Sequence, residues 1–215
     1  MKKLIVSATK AEINKTLSEN NFSENKDIKN LYESKDIDIF ISGIGSAFTI
    51  FNLTQLLQNK TYNKVINVGI AGTYNKNINL GELVFVEKDC FADLGIDDNG
   101  VFKTLAEEKL SDQSNELFSS AKSTELPYKK VNAITVNTAS GSKEAIETWK
   151  QKFNPDIETM EGAAIFLVCN KINIPVMQIR AISNFVEPRN KANWEISKAF
   201  DVLNEFITSY LIPKK

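Results

Sequence analysis

The sequence predicts an α/β fold built on a mixed, largely buried β-sheet flanked by helices. Three observations carry that expectation. Short apolar, β-branched runs recur at residues 4–8, 37–44, 65–70, 83–87, 131–136 and 176–182, and they read as buried strands rather than half-exposed ones. Segments with helical apolar spacing lie between them. Glycine-rich turns close two of the strands, at Gly43-Ile44-Gly45 and Gly69-Ile70-Ala71-Gly72. On such sheets ligands bind beyond the strand ends, where these turns sit.

Taken in order, residues 4–8 form a short strand, and a helix begins around Glu12, with Ile13 and Leu17 four apart. The strand at 37–44 turns through Gly43-Ile44-Gly45 into a helix with Ser46 as its N-cap and Phe48, Phe51, Leu53, Leu56 and Leu57 along it. The strand at 65–70 ends in the second glycine turn, and 83–87 is the next strand. From Asp89 to Thr124 the chain is polar, carries Gly95, Gly100 and acidic residues, and reads as loop with a short helix. The strand at 131–136 leads to the turn Thr138-Ala139-Ser140-Gly141-Ser142, where Ser142 caps a helix through Trp149. A small-residue helix at 161–171, a strand at 176–182 and a terminal helix at 193–210 follow. The last carries Ile196, Ala199, Phe200, Leu203, Phe206, Ile207 and Tyr210 at helical spacing. No repeat, linker or low-complexity tract divides the chain, so residues 1–215 read as a single domain.

Bulk properties narrow the function. The chain's 215 residues, 42% of them hydrophobic, suffice for one sizeable core. A net charge of -1 offers no basic surface for nucleic acid. No apolar run approaches membrane-spanning length. The apolar start is too brief for a signal peptide, so a cytoplasmic protein is expected. The chain has no histidine, which excludes a Ser-His-Asp triad, a Cys-His pair and His-ligated zinc. Cys90 and Cys169 are far apart and form no CxxC; Cys169 reads as a small buried hydrophobe and no disulfide is expected. Acid–base work therefore falls to carboxylates, Lys or Tyr. Arg180 and Arg189 are the chain's two arginines and both flank Asn184, so a bidentate anion site belongs near them.

From position alone, Glu12 is either a general base or an exposed helix-start carboxylate favoured by the dipole. The Ser42-Gly43-Ile44-Gly45-Ser46 segment reads as a tight turn more readily than as an anion cradle. Glu161 opens a helix whose Gly162, Ala163 and Ala164 permit close approach; it is a dipole-favoured carboxylate or an acceptor for two vicinal hydroxyls. Arg180 lies in an apolar strand and needs a partner.

The run Met160-Glu161-Gly162-Ala163-Ala164, followed by Pro175-Val176-Met177-Gln178-Ile179-Arg180-Ala181-Ile182-Ser183-Asn184, resembles the nucleoside phosphorylase and nucleosidase superfamily, which cleaves the bond between ribose and a base. Asn184 with Phe185-Val186-Glu187-Pro188-Arg189-Asn190, and the stretches Phe91-Ala92-Asp93-Leu94-Gly95-Ile96-Asp97 and Gly100-Val101-Phe102, are most similar to the futalosine hydrolase family of the alternative menaquinone route. The resemblance spans essentially the whole chain. It implies a three-layer nucleoside-phosphorylase-like fold, a small-molecule nucleoside as partner, a homo-oligomer (dimer or tetramer), and no metal or cofactor.

By that resemblance Glu12 is the general base, Arg180 its neighbour at the nucleophilic water, and Glu161 the acceptor of the ribose hydroxyls. Met160 packs on sugar or base, while Ala71 and Gly72 lie beneath the ribose. Asn184 stands where adenine-releasing relatives carry Asp; its amide offers a donor and an acceptor, which suits a 6-oxopurine. Arg189 suits the benzoate of futalosine, or else pairs with Glu187 or Glu195. Phe102 stacks on substrate, in its own or a neighbouring subunit, or packs in its loop. The chain departs from its relatives at Ile70, where a serine is common, and at Ser140-Gly141-Ser142, where Ser-Gly-Asp is common and a base-stacking Phe is missing. Methylthioadenosine/S-adenosylhomocysteine cleavage is the alternative that Asn184 speaks against. Phosphorolysis lacks its arginines in Ser7-Ala8-Thr9-Lys10 and Thr73-Tyr74-Asn75-Lys76. A non-catalytic nucleoside binder would have no need of Glu12.

Overall fold

The apolar runs do become the strands of one mixed sheet. In a computed structural model, the structure describes residues 2–111, 116–119 and 126–212. The strands are β1 (Lys3–Ser7), β2 (Ser23–Glu24), β3 (Leu31–Glu33), β4 (Ile37–Ile41), β5 (Lys64–Thr73) and β6 (Leu83–Cys90), then β7 (Gly95–Asp98), β8 (Val101–Thr104), β9 (Glu116–Phe118), β10 (Lys129–Thr135), β11 (Ile157–Thr159) and β12 (Val176–Phe185). The helices are α1 (Lys10–Glu19), α2 (Ser46–Asn59), α3 (Lys143–Phe153), α4 (Gly162–Lys171) and α5 (Ile196–Phe206).

The sheet runs β11-β10-β6-β12-β5-β1-β4-β3-β2. β1 pairs in parallel with β4 and β5, and β12 pairs in parallel with β5 but antiparallel with β6. β11 pairs with β10 and also with β5, so β5, β12, β6, β10 and β11 form a closed circuit. Layers of helix cover both faces. On one, Leu53 and Leu56 of α2 and Ile165, Phe166 and Cys169 of α4 join a core with Leu4, Val65 and Val86. On the other, Ile13 of α1 and Ala199, Leu203 and Phe206 of α5 meet Ile5, Ile66 and Ile179. The predicted three-layer α/β architecture is the observed one. Among the described residues no helix is long and apolar enough to cross a membrane.

Four details differ from the sequence-based expectation. The polar excursion is not loop with a short helix: β6 continues to Cys90, and β7 and β8 form a hairpin. Its turn residues Asn99 and Gly100 both have positive φ, 54° and 87°, the conformation that a twisted two-residue hairpin turn requires. Thr124, the expected end of this excursion, lies outside the described residues. Ser46 is not the N-cap of α2; Gly45 holds that place at φ 87° without a side-chain cap, and the Ser46 hydroxyl instead donates to the Met160 carbonyl. The 161–171 helix starts one residue later, with Glu161 itself as N-cap. The terminal helix is divided, a 3₁₀ turn at Lys191–Asn193 preceding α5 and a π turn at Ile207–Leu211 following it; the side chain of Tyr210 lies outside the described residues.

Two features aim the sheet's C-terminal edge. β12 runs beyond Ile182, and its register against β5 shifts so that Ile182 faces Ala71 and Asn184 faces Gly72, bulging Ser183. Bulges re-aim neighbouring side chains, and here the Ser183 hydroxyl is placed to donate to Asn184 Oδ1 at 2.8 Å. The other feature is Asn204 of α5, which donates to the Glu12 carbonyl and accepts from the Thr16 N–H, both at 2.8 Å, fastening α1 at the turn that carries Glu12.

Candidate active site

A cavity of about 330 Å³ opens at the C-terminal ends of the strands, lined by Thr9, Glu12, Ile70, Ala71, Gly72, Ser140, Glu158, Met160, Glu161, Asn184, Arg189 and Trp194 among others. Of the sequence-predicted residues it gathers Glu12, Met160, Glu161, Ala71, Gly72, Asn184 and Arg189, with Arg180 directly behind. A larger space of about 760 Å³ lies between α2 and α4, but Leu57, Leu167 and Ile172 line it with only Lys60 and Lys171 as charges, and it offers no carboxylate.

Glu12 is buried (5% exposed), unlike the exposed helix-start carboxylate its position allowed. The reason is a capping box: the Glu12 N–H donates to Thr9 Oγ1, and the Thr9 N–H donates back to Glu12 Oε2 at 2.9 Å. Such reciprocal bonds satisfy helix-end donors and fix the side chain. Ser7 Oγ donates to the same oxygen at 2.9 Å, and the Ile70 N–H donates to Oε1 at 3.1 Å. Ile70 thus serves this carboxylate through its backbone.

Arg180 is 1% exposed. Its Nε and Nη2 both donate to Gln178 Oε1, at 2.9 and 2.7 Å, so its direct hydrogen bonds go to a neutral amide. Gln178 Nε2 donates in turn to Asp89 Oδ2 at 3.0 Å, making a buried relay across the sheet from Asp89 to the cavity wall. Gly69 lies between this relay and Glu12. It faces Arg180 across the β5–β12 ladder, and a Cβ there would lie 2.2 Å from Arg180 Nη1 and 2.8 Å from Glu12 Oε1. Both side chains thus flank one bare α-carbon.

Asp89 is pushed up to about 6, first by burial, with hydrogen bonds from Gln178 and Thr135 and the charge of Arg180 opposing. The folded value lies above the ordinary 3.8. Asp89 therefore contributes stability that is fully present below the unfolded value and lost as pH rises through the folded one. Asp89→Asn has no such titration. The stability of the wild type relative to this variant is expected to fall by on the order of 3 kcal/mol between about pH 4 and about pH 7. Urea denaturation of both proteins at the two pH values measures it, and a pH-independent difference would contradict it.

Glu161 Oε1 accepts from the Gly45 N–H at 2.9 Å, so the Gly43-Ile44-Gly45 turn serves the chain's own carboxylate. Burial pushes Glu161 above the ordinary carboxylate range; Arg180 and the Gly45 N–H draw it back, and nearby Glu12 raises it further. A carboxylate short of solvation gains from new donors, and two adjacent hydroxyls would supply them. On the opposite wall, the Asn184 amide nitrogen donates to the Phe185 carbonyl at 3.0 Å. Arg189 sits at the mouth over the Trp194 ring, 5.2 Å from its centroid, while the Glu187 carboxylate accepts from Asn193 instead.

Phe102 is not brought to the cavity. Its ring packs edge-on against Trp149 of α3 at 5.1 Å and beside Phe153 at 6.4 Å, because the β7–β8 hairpin folds its aromatic face onto that helix. The sequence reading also missed residues the structure gathers here: Glu158, Tyr74, Gln178, Asp89 and Trp194. Gln178 could have been found from its i, i+2 spacing to Arg180, which puts both on one face of a strand. Glu158 could have been found as a lone carboxylate inside an otherwise buried three-residue strand.

A family model described as "Phosphorylase superfamily" matches residues 4–209. The futalosine hydrolase of Thermus thermophilus is 27% identical over 174 residues, covering 75% of this chain and 75% of that protein. The 5'-methylthioadenosine/S-adenosylhomocysteine nucleosidase of Buchnera aphidicola is 25% identical over 193 residues, covering 81% and 82%. Among solved structures, a Helicobacter pylori 5'-methylthioadenosine/S-adenosylhomocysteine nucleosidase shares the fold at a TM-score of 0.83, with 20% identity over 100% of this chain and 99% of that one. A Helicobacter pylori futalosine hydrolase does so at 0.81, with 18% identity over 99% and 98%.

Proposed function

We propose that this chain, which belongs to the phosphorylase superfamily, hydrolyses the N-glycosidic bond of a 6-oxopurine nucleoside, and specifically that of futalosine, releasing hypoxanthine and dehypoxanthinyl futalosine. That it is a nucleosidase, an N-glycosyl hydrolase, follows from its relatives. The observation that carries the substrate is Asn184, held on the β12 bulge in the wall of a cavity that also contains Glu12 and Glu161.

In the mechanism, Glu161 accepts hydrogen bonds from the ribose hydroxyls and Met160 packs against the sugar, with Ala71 and Gly72 beneath it. Asn184 hydrogen-bonds the departing hypoxanthine and steadies its developing negative charge. The ribosyl centre becomes oxocarbenium-like, as in other glycoside cleavage. Glu12, with Arg180 beside it over Gly69, orients a water and takes its proton. Arg189 at the mouth suits the benzoate of futalosine, a planar carboxylate matched to a guanidinium. Inorganic phosphate would find no arginine in Ser7-Ala8-Thr9-Lys10 or Thr73-Tyr74-Asn75-Lys76, so water is the nucleophile. Assembly with a second copy belongs to this reading, since Ile44, Phe48 and Phe51 are exposed at 56%, 67% and 61%; a monomer by sedimentation at micromolar concentration would remove it.

A second reading, cleavage of methylthioadenosine, is favoured by the names of several relatives. Base release from purified protein given futalosine, methylthioadenosine or inosine separates the two: hypoxanthine from futalosine supports the first, adenine from methylthioadenosine the second. Asn184→Asp is expected to lower the preference for hypoxanthine over adenine release about tenfold, because an ionised Asp offers only acceptors to O6 and N7. Unchanged selectivity would refute this role for Asn184.

A further inference from the structure

Glu158 is a third carboxylate of the cavity, and the mechanism above leaves it unused. It is 8% exposed and lines the cavity beside Ser140. Three donors fasten it: the Ser140 N–H to Oε1 at 2.9 Å, and the Ser140 and Tyr74 hydroxyls to Oε2 at 2.6 Å each. Burial and the adjacent Glu158 charge hold the Tyr74 hydroxyl well above its ordinary value, so it remains a donor. An ionised carboxylate has about four acceptor positions, and three donors leave one for a ligand.

The sheet register gives the geometry. Glu158 in β11 faces Gly72 from one side, and Asn184 in β12 faces it from the other. Gly72 has no side chain, and a Cβ there would crowd Asn184 Nδ2 at 3.0 Å and Val186 Cγ2 at 2.9 Å. The floor between the two therefore carries no side chain of its own, and the Asn184 amide and a Val186 methyl reach over it. Two strand spacings put their α-carbons about 10 Å apart, and both residues line the same cavity.

We propose that Glu158 is the base-selecting residue: it accepts the N1–H of a 6-oxopurine while Asn184 takes the O6 and N7 edge, and Tyr74 and Ser140 are positioning residues that hold it. This rests on the 6-oxopurine reading above. Adenine presents a lone pair at N1, which would face the carboxylate and leave it without a donor. A site built around a buried polar group discriminates strongly against the analogue that cannot pair with it.

The test is calorimetric binding of hypoxanthine, adenine and 1-methylhypoxanthine, in which a methyl replaces the N1 proton, to wild type, Glu158→Gln and Tyr74→Phe. Wild type is expected to bind hypoxanthine more tightly than either analogue by about tenfold or more, and Glu158→Gln to close most of the gap to adenine. An undiminished gap in Glu158→Gln overturns the inference and leaves the 6-oxopurine reading standing. Wild-type preference for adenine, or no measurable hypoxanthine binding, overturns that reading and the inference with it. Should Glu158→Gln fail to fold, Tyr74→Phe decides: loss of one of the three donors must narrow the gap at least about threefold, and an unchanged gap overturns the inference.

Discussion

Glu12→Gln is expected to lower kcat on futalosine by about 10²–10⁴-fold, the usual worth of a positioned general base, with KM changed only a few-fold. The split follows from the site. Glu12 takes the proton of the attacking water, whereas Glu161 and Asn184 do the binding. Glutamine is the same size and can keep an oxygen towards Ser7 and Thr9, which donate to Glu12 Oε2. Its amide nitrogen would then face the Ile70 N–H, which donates to Oε1 in the wild type, so two donors would meet. That mismatch should cost about 1–3 kcal/mol of stability, which thermal unfolding reports separately from turnover. Near-normal kcat in a folded Glu12→Gln would end the assignment.

Gly69→Ala should be nearly as damaging, for a steric reason. The backbone at Gly69 lies outside the left-handed region, so alanine meets no conformational penalty there. The added methyl would instead sit 2.2 Å from Arg180 Nη1 and 2.8 Å from Glu12 Oε1. Arg180 is buried and tied to Gln178, so its guanidinium must be displaced, and Glu12 with it. Overpacking of this kind costs about 1–3 kcal/mol, and misplacing catalytic groups by an ångström costs about 10²-fold in rate. A folded Gly69→Ala with wild-type kcat would show that Arg180 and Glu12 do not act together over this residue.

These residues differ in how openly the sequence displayed them. Arg180 was legible because a cation in an apolar strand breaks a local rule, whereas Glu161 obeys one and stood out only through the family resemblance of its run. The strands were legible for the same reason in reverse, since runs such as Val65-Ile66-Asn67-Val68 are apolar beyond what an exposed segment needs. What stayed hidden depends on distant pairings. The β12 bulge that aims Asn184 exists only against β5. The relay from Asp89 through Gln178 to Arg180 joins β6 and β12, about ninety positions apart, by a contact no local pattern encodes. Glu158 gains its meaning only when the β10–α3 turn brings Ser140 to it and the end of β5 brings Tyr74. The β7–β8 hairpin was hidden for a different reason, because Asn99-Gly100 is a strong turn signal set within a polar segment that otherwise reads as loop. The packing of Phe102 on Trp149 likewise depends on a tertiary contact that its loop position does not show.

The central claim is that Glu12 activates water, not phosphate, against a 6-oxopurine nucleoside. Its most direct test is hypoxanthine release from futalosine in heavy-oxygen-labelled water, with and without inorganic phosphate, followed by mass analysis of the sugar product. The account predicts the same rate in both buffers and one labelled oxygen at the anomeric carbon. A rate that requires phosphate, with a sugar 1-phosphate as product, would contradict it.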